Sequence, residues 1–102
     1  STTLFGYAQN YPYLVGNTIL IGEAEKFVLQ CHSYGYRNAV ALMSGSLSSQ
    51  QAKLLVELHP RQVIFMHDQG YEYENIKKNM DILRQKRSHS NFISTHAVCC
   101  ID

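Results

Sequence analysis

The run Thr18–Cys31, TILIGEAEKFVLQC, changes its period halfway along, and that change decides the fold. Residues Thr18 to Ile21 are apolar or β-branched without interruption, as a strand buried on both faces of a parallel sheet requires. The run breaks at Gly22 and Glu23. From there Ala24, Phe27, Val28 and Cys31 recur at i, i+3, i+4 and i+7, so one apolar stripe of a helix turns inward until Gly35 stops it. A buried strand that feeds directly into an amphipathic helix is the opening of a βαβ unit.

The same switch occurs twice more. Ala39 to Met43 reads as a second strand, Ser44-Gly45-Ser46 as a turn, and Ser48 to Leu58 as a helix. That helix opens on a capping box, Ser48 with Gln51 three residues on, buries Ala52, Leu54, Leu55 and Leu58, and is closed by Pro60. Gln62 to Met66 is a third strand, His67-Asp68-Gln69-Gly70 a turn, and Tyr71 to Gln85 a third helix with Ile76, Met80 and Leu83 as its stripe. After a polar loop from Lys86 to Asn91, a fourth strand is expected at Ala97 to Ile101. The predicted class is therefore α/β: a four-stranded, mainly parallel sheet with helices on both faces, strand and helix in strict alternation. Residues 1–16, where Phe5, Tyr7, Tyr11 and Tyr13 interleave with Gly6, Asn10 and Pro12, are expected to be an irregular aromatic-rich arm.

Composition sets the outer bounds. A chain of 102 residues, 45% hydrophobic, can build one real core and no second domain. A net charge of +1 gives no global pull toward nucleic acid or membrane, so any such contact must be local. No apolar run reaches the roughly 20 residues that cross a bilayer, and the start lacks a signal-peptide pattern, so a cytoplasmic protein is expected. Cys31, Cys99 and Cys100 match no zinc spacing and read as small buried hydrophobes of a reducing compartment. Because the chain stops at Asp102, directly after the last strand, it is expected to be a piece of a larger protein.

In an open parallel sheet, ligands bind beyond the carboxyl ends of the strands, where each strand yields to a turn and a positive helix N-terminus. Three acids fall there: Glu23, Asp68 and Asp102. Any one of them alone is explained as an N-cap or dipole partner. Two at one mouth repel each other unless a cation or proton neutralises them. Mg²⁺ suits such a pair, because it takes one or two carboxylates and fills its shell with water and phosphate oxygens.

Three segments carry a resemblance: Ile19-Leu20-Ile21-Gly22-Glu23-Ala24-Glu25-Lys26; Asn38 to Leu42 running into Ser44-Gly45-Ser46-Leu47-Ser48; and Val63-Ile64-Phe65-Met66-His67-Asp68. Together, over about residues 5–101, they resemble the Toprim domain, most closely that of bacterial-type DNA primases of phages and mobile elements. The resemblance implies a three-layer α/β/α core that uses Mg²⁺ or Mn²⁺ to transfer nucleotides, making RNA primers on single-stranded DNA from nucleoside triphosphates. It implies further that Glu23 is the family glutamate, acting as general acid or base beside the metal, and that Asp68 is the first aspartate of the metal-binding Asp-x-Asp. In that register Asp68-Gln69-Gly70 has glycine where the second aspartate stands. Glu72 or Glu74 offers a substitute carboxylate, although each is also explained by the helix N-terminus beside it. Implied partners are the template strand, the triphosphates, and a replicative helicase or other domains of the parent protein.

Lys26 sits near the expected mouth and could face a phosphate. His67 could tune Asp68, and Ser44-Gly45-Ser46 could offer N–H groups to an anion. Lys77, Lys78, Arg84, Lys86 and Arg87 fall within eleven positions and could form a track for a nucleic-acid backbone, although basic residues late in a helix also complement its dipole, the reading favoured here. Two other classes keep the fold: a Toprim domain without catalysis that binds nucleic acid or protein, and a Toprim nuclease. A phospho-receiver would also place an aspartate after strand three, but it wants an acidic pair after strand one and a lysine after a fifth strand; the chain has Gly22-Glu23 and no fifth strand.

Overall fold

The computed structural model describes residues 3–44, 46–68, 73–86 and 94–100, with 67–68, 73–76, 84–86 and 94–100 described by their backbone. The chain runs α1 (Tyr7–Leu14), β1 (Thr18–Gly22), α2 (Glu25–Ser33), β2 (Ala39–Ala41), α3 (Ser49–Glu57), β3 (Gln62–Asp68), α4 (Tyr73–Lys86) and β4 (Ser94–Cys100). The strands are parallel and lie in the order β2-β1-β3-β4. The connection from β1 to β2 and the return from β2 to β3 travel in opposite directions across the sheet. Right-handed crossovers therefore put α2 on one face and α3 with α4 on the other.

Strand alternation assigns the core to one of these faces. Ile21 is registered with Val40 and with Phe65, and the set Ile19, Ile21, Val40, Leu42, Val63 and Phe65 is fully buried. Ala52, Leu55 and Leu58 of the α3 region and Leu83 of α4 join the same core. The opposite face holds Leu20, Ala39, Ala41, Ile64 and Met66, of which Leu20, Ile64 and Met66 stay half-buried. Burial on both sides, as read from the apolar run, is thus completed on the face of α3 and α4 and only partly reached under α2. Within α2 the stripe is correspondingly weak: Val28 is buried, Phe27 and Cys31 are half-buried, and Ala24 is the exposed N-cap.

Two readings of the sequence need correction. The arm at residues 1–16 is not irregular throughout, since Tyr7–Leu14 is an α-helix. Gly6 enters it in the left-handed region at φ 85°, a conformation that glycine adopts without steric cost. Pro12 removes the helical partner only of Ala8, an exposed position. The second correction concerns the third strand, which does not turn after Met66. It runs on through His67 and Asp68 because these pair with Cys99 and Cys100 of β4.

The arm does protect an edge. Phe5 and Ala41 exchange both backbone bonds, at 3.0 and 3.1 Å, and Asn10 Nδ2 donates to the Ala39 carbonyl at 3.1 Å. These bonds cover the outer side of β2, which would otherwise offer unpaired backbone groups to another chain. The capping box of α3 forms as read, and Gln51 goes beyond it: its Oε1 accepts from the Ser48 N–H while its Nε2 donates to the carbonyls of Leu42 and Thr3. Helix α3 ends at Glu57 through His59, which takes the left-handed conformation (φ 52°) ahead of Pro60. Among the described residues no helix is long and apolar enough to cross a membrane.

Candidate functional site

Strand order reverses between β1 and β3, and the carboxyl ends of the strands at such a reversal are where an open α/β sheet accepts ligands. Glu23 follows the last residue of β1. The ladder with the β2 segment persists past that end, with the Leu42 N–H donating to Gly22 O at 2.9 Å and the Met43 N–H to Glu23 O at 2.6 Å. Holding this geometry, Met43 sits at φ 67°, in the left-handed region that non-glycine residues rarely enter. The Glu23 carboxylate is exposed and has no hydrogen-bond or ion-pair partner among the described residues.

Asp68 is the last residue of β3. Because Ile21 is registered with Phe65, Asp68 lies two residues beyond the level of Gly22 and one beyond that of Glu23. A strand spacing of about 4.8 Å and a rise of about 3.3 Å per residue then leave the two Cα positions within about 10 Å. The backbone thus carries these two acids, 45 positions apart in the chain, to neighbouring strand ends. Side chains at 67 and 68 fall outside the described set, as do Gln69, Gly70, Glu72 and Asp102 entirely and the side chain of Glu74.

Lys26 stands in the first turn of α2, exposed and three residues from Glu23, at the same rim. Gly45 lies outside the described residues, so the turn Ser44-Gly45-Ser46 is seen only at its ends, where Ser44 Oγ donates to the Ser46 carbonyl. Lys77 and Lys78 are exposed on α4. Among the described residues no three of His, Cys, Asp and Glu come together.

The site residues predicted from the sequence are all expected at this rim. An open pocket of about 330 Å³ lies at the opposite one, where the strands begin. Tyr13, Asn17, Thr18, Arg37, Asn38 and Arg61 line it. Asn38 Nδ2 donates to the Thr18 carbonyl at 2.7 Å, and the Arg61 N–H donates to Asn17 O at 3.2 Å. The Arg37 guanidinium lies 5.4 Å from the centre of the Tyr13 ring. One signal was readable: Arg37 and Arg61 each stand just ahead of a strand, and those two strands flank β1. No protein-family model, no curated protein and no solved structure matches the chain.

Proposed function

We propose that this chain is the Toprim core of a bacterial-type DNA primase of phage or mobile-element type, joining nucleoside triphosphates into RNA primers on single-stranded DNA. The observation that carries the reading is the arrival of Glu23 and Asp68 at the carboxyl ends of β1 and β3, the adjacent strands where the sheet order reverses. The donor set suits Mg²⁺ or Mn²⁺: these are hard oxygen ligands, few in number, and Mg²⁺ keeps several sites for water and phosphate oxygens. Asp68 would hold the ion, with Glu23 beside it. When bound, the metal neutralises charge on the triphosphate. Glu23, unpaired and open to solvent, takes the proton from the attacking hydroxyl. Lys26, at the same rim, meets a phosphate of nucleotide or template.

Gly70 motivates a second reading, a Toprim-like module that binds nucleic acid or protein without catalysis. A Mn²⁺ titration followed by electron paramagnetic resonance, run on the wild type, Asp68→Asn and Glu23→Gln, separates the two when paired with a primer-synthesis assay on single-stranded DNA. Metal binding weakened at least tenfold by Asp68→Asn, with metal-dependent synthesis lost in Glu23→Gln, supports the primase. Metal binding with strand cleavage instead of synthesis points to a nuclease. Indifference of the protein to Mn²⁺ leaves only the binding module.

A further inference from the structure

We infer that the pocket at the amino-terminal rim of the sheet is a contact site for single-stranded nucleic acid, gripping a backbone phosphate between Arg37 and Arg61 and stacking a base on the tyrosines beside it. This surface goes beyond the carboxylate rim and does not depend on it. Glu23, just past the end of β1, is five residues from Thr18 at its start, so the two ends are separated by about 16 Å at the usual strand rise.

Charge is the first argument. None of the described residues lining the pocket is acidic. Both arginines are exposed; Arg61 has no side-chain hydrogen bond or ion pair among the described residues, and Arg37 has only its contact with Tyr13. They precede β2 and β3, which lie on either side of β1, so their backbones stand roughly 10 Å apart at the normal strand spacing. Two guanidiniums reaching inward from that separation suit one tetrahedral oxyanion, to which each can present a planar pair of N–H groups. The stacking of Arg37 on Tyr13 holds one of them in place in advance.

The tyrosines favour a single strand over other anions. Tyr34 and Tyr36 flank Gly35, which lines the pocket, and are 79% and 58% exposed, while Tyr13 is 45% exposed. Large aromatic faces left in water beside cationic groups are what unpaired bases stack upon, whereas a duplex keeps its bases stacked on one another. Their loop is fixed from below: the Tyr36 N–H donates to Cys31 O at 2.8 Å, and Gly35 turns at φ 89°. An acidic peptide would use the arginines and leave the tyrosines idle.

Binding of a fluorescein-labelled oligothymidylate to the full chain in EDTA, measured by anisotropy, isolates this surface from any metal-dependent contact. Arg37→Ala/Arg61→Ala is expected to weaken binding at least tenfold and to flatten the slope of log affinity against log salt by about 0.7, the value for one phosphate neutralised on a single strand. Tyr34→Ala/Tyr36→Ala is expected to weaken binding without changing that slope. Lys77→Ala/Lys78→Ala, which removes equal charge from α4, should do neither. Because the arginines are exposed, circular dichroism should find the double variant folded; Arg37→Lys/Arg61→Lys, which keeps the charge, is the second probe and should recover only part of the affinity. Equal affinity of wild type and the alanine double variant, equal loss from the α4 pair, or a duplex bound as tightly as the single strand would each overturn the assignment.

Discussion

The ring of Phe27 fills the space that a side chain at Gly22 would need. A Cβ placed there would collide with Cγ and Cδ2 of that ring. Gly22 has no positive φ, so the demand for glycine is one of room and not of backbone conformation. Gly22→Ala must push Phe27, and with it the start of α2, away from β1. The expected cost is about 1–3 kcal/mol in urea unfolding, as for other overpacked sites, and Gly22→Ala/Phe27→Leu should return part of it. A Gly22→Ala protein of unchanged stability would show that the ring swings aside freely.

Gln51 should matter more than its partner in the capping box. Ser48→Ala removes one cap and is expected to cost about 1 kcal/mol. Gln51→Ala removes the reciprocal half of the box and also strips the carbonyls of Leu42 and Thr3 of a donor, in a side chain that is fully buried. The buried Leu42 carbonyl left without this donor and a small cavity together put its cost at about 2–4 kcal/mol. Equal midpoints for the two variants would mean that the bonds to Leu42 and Thr3 are replaced by water.

Tyr7 supplies a test at high pH. Burial, then the neighbouring Tyr11 and Glu57, hold its hydroxyl in the neutral form, raising its pKa above the ordinary 10.0. The unfolded chain therefore releases this proton first as pH rises, and the folded state is penalised from about pH 10 upward until Tyr7 itself ionises. Its contribution is fully present below pH 10 and is lost above it. In Tyr7→Phe the fall in melting temperature between pH 9.5 and 11 should be shallower than in the wild type. Parallel curves would assign alkaline unfolding to other groups.

Local pattern was enough for β1, β2, α3 and the rim glutamate, because period, capping and the strand-to-helix break are written within about a dozen residues. It failed where partners are distant. Asp68 stays in the strand because Cys100 pairs with it, and the buried Gln51 amide donates to the carbonyl of Thr3, 48 residues away. The pocket at the other rim escaped for the same reason: Tyr13, Arg37 and Arg61 share no motif and meet only when β1 lies between β2 and β3. Helix α1 was hidden by its own content, with Pro12 and Gly6 arguing for a break while Leu14 and Asn10 are drawn into the interior.

Glu23 separates chemistry from folding. Its carboxylate has no partner among the described residues, and only its carbonyl, which a substitution leaves in place, takes part in the sheet. Removing the charge ahead of α2 forfeits a favourable interaction with the helix N-terminus of about 0.3–1 kcal/mol, and nothing larger is at stake. Glu23→Gln should therefore unfold within about 1 kcal/mol of the wild type, while a general base or acid of this kind contributes about 10²–10⁴ to the rate it serves. A loss of stability well above that bound, with metal response intact, would make Glu23 a structural acid and shift the site away from β1. A near-silent variant in the melt that is dead in synthesis would fix the chemistry at this rim.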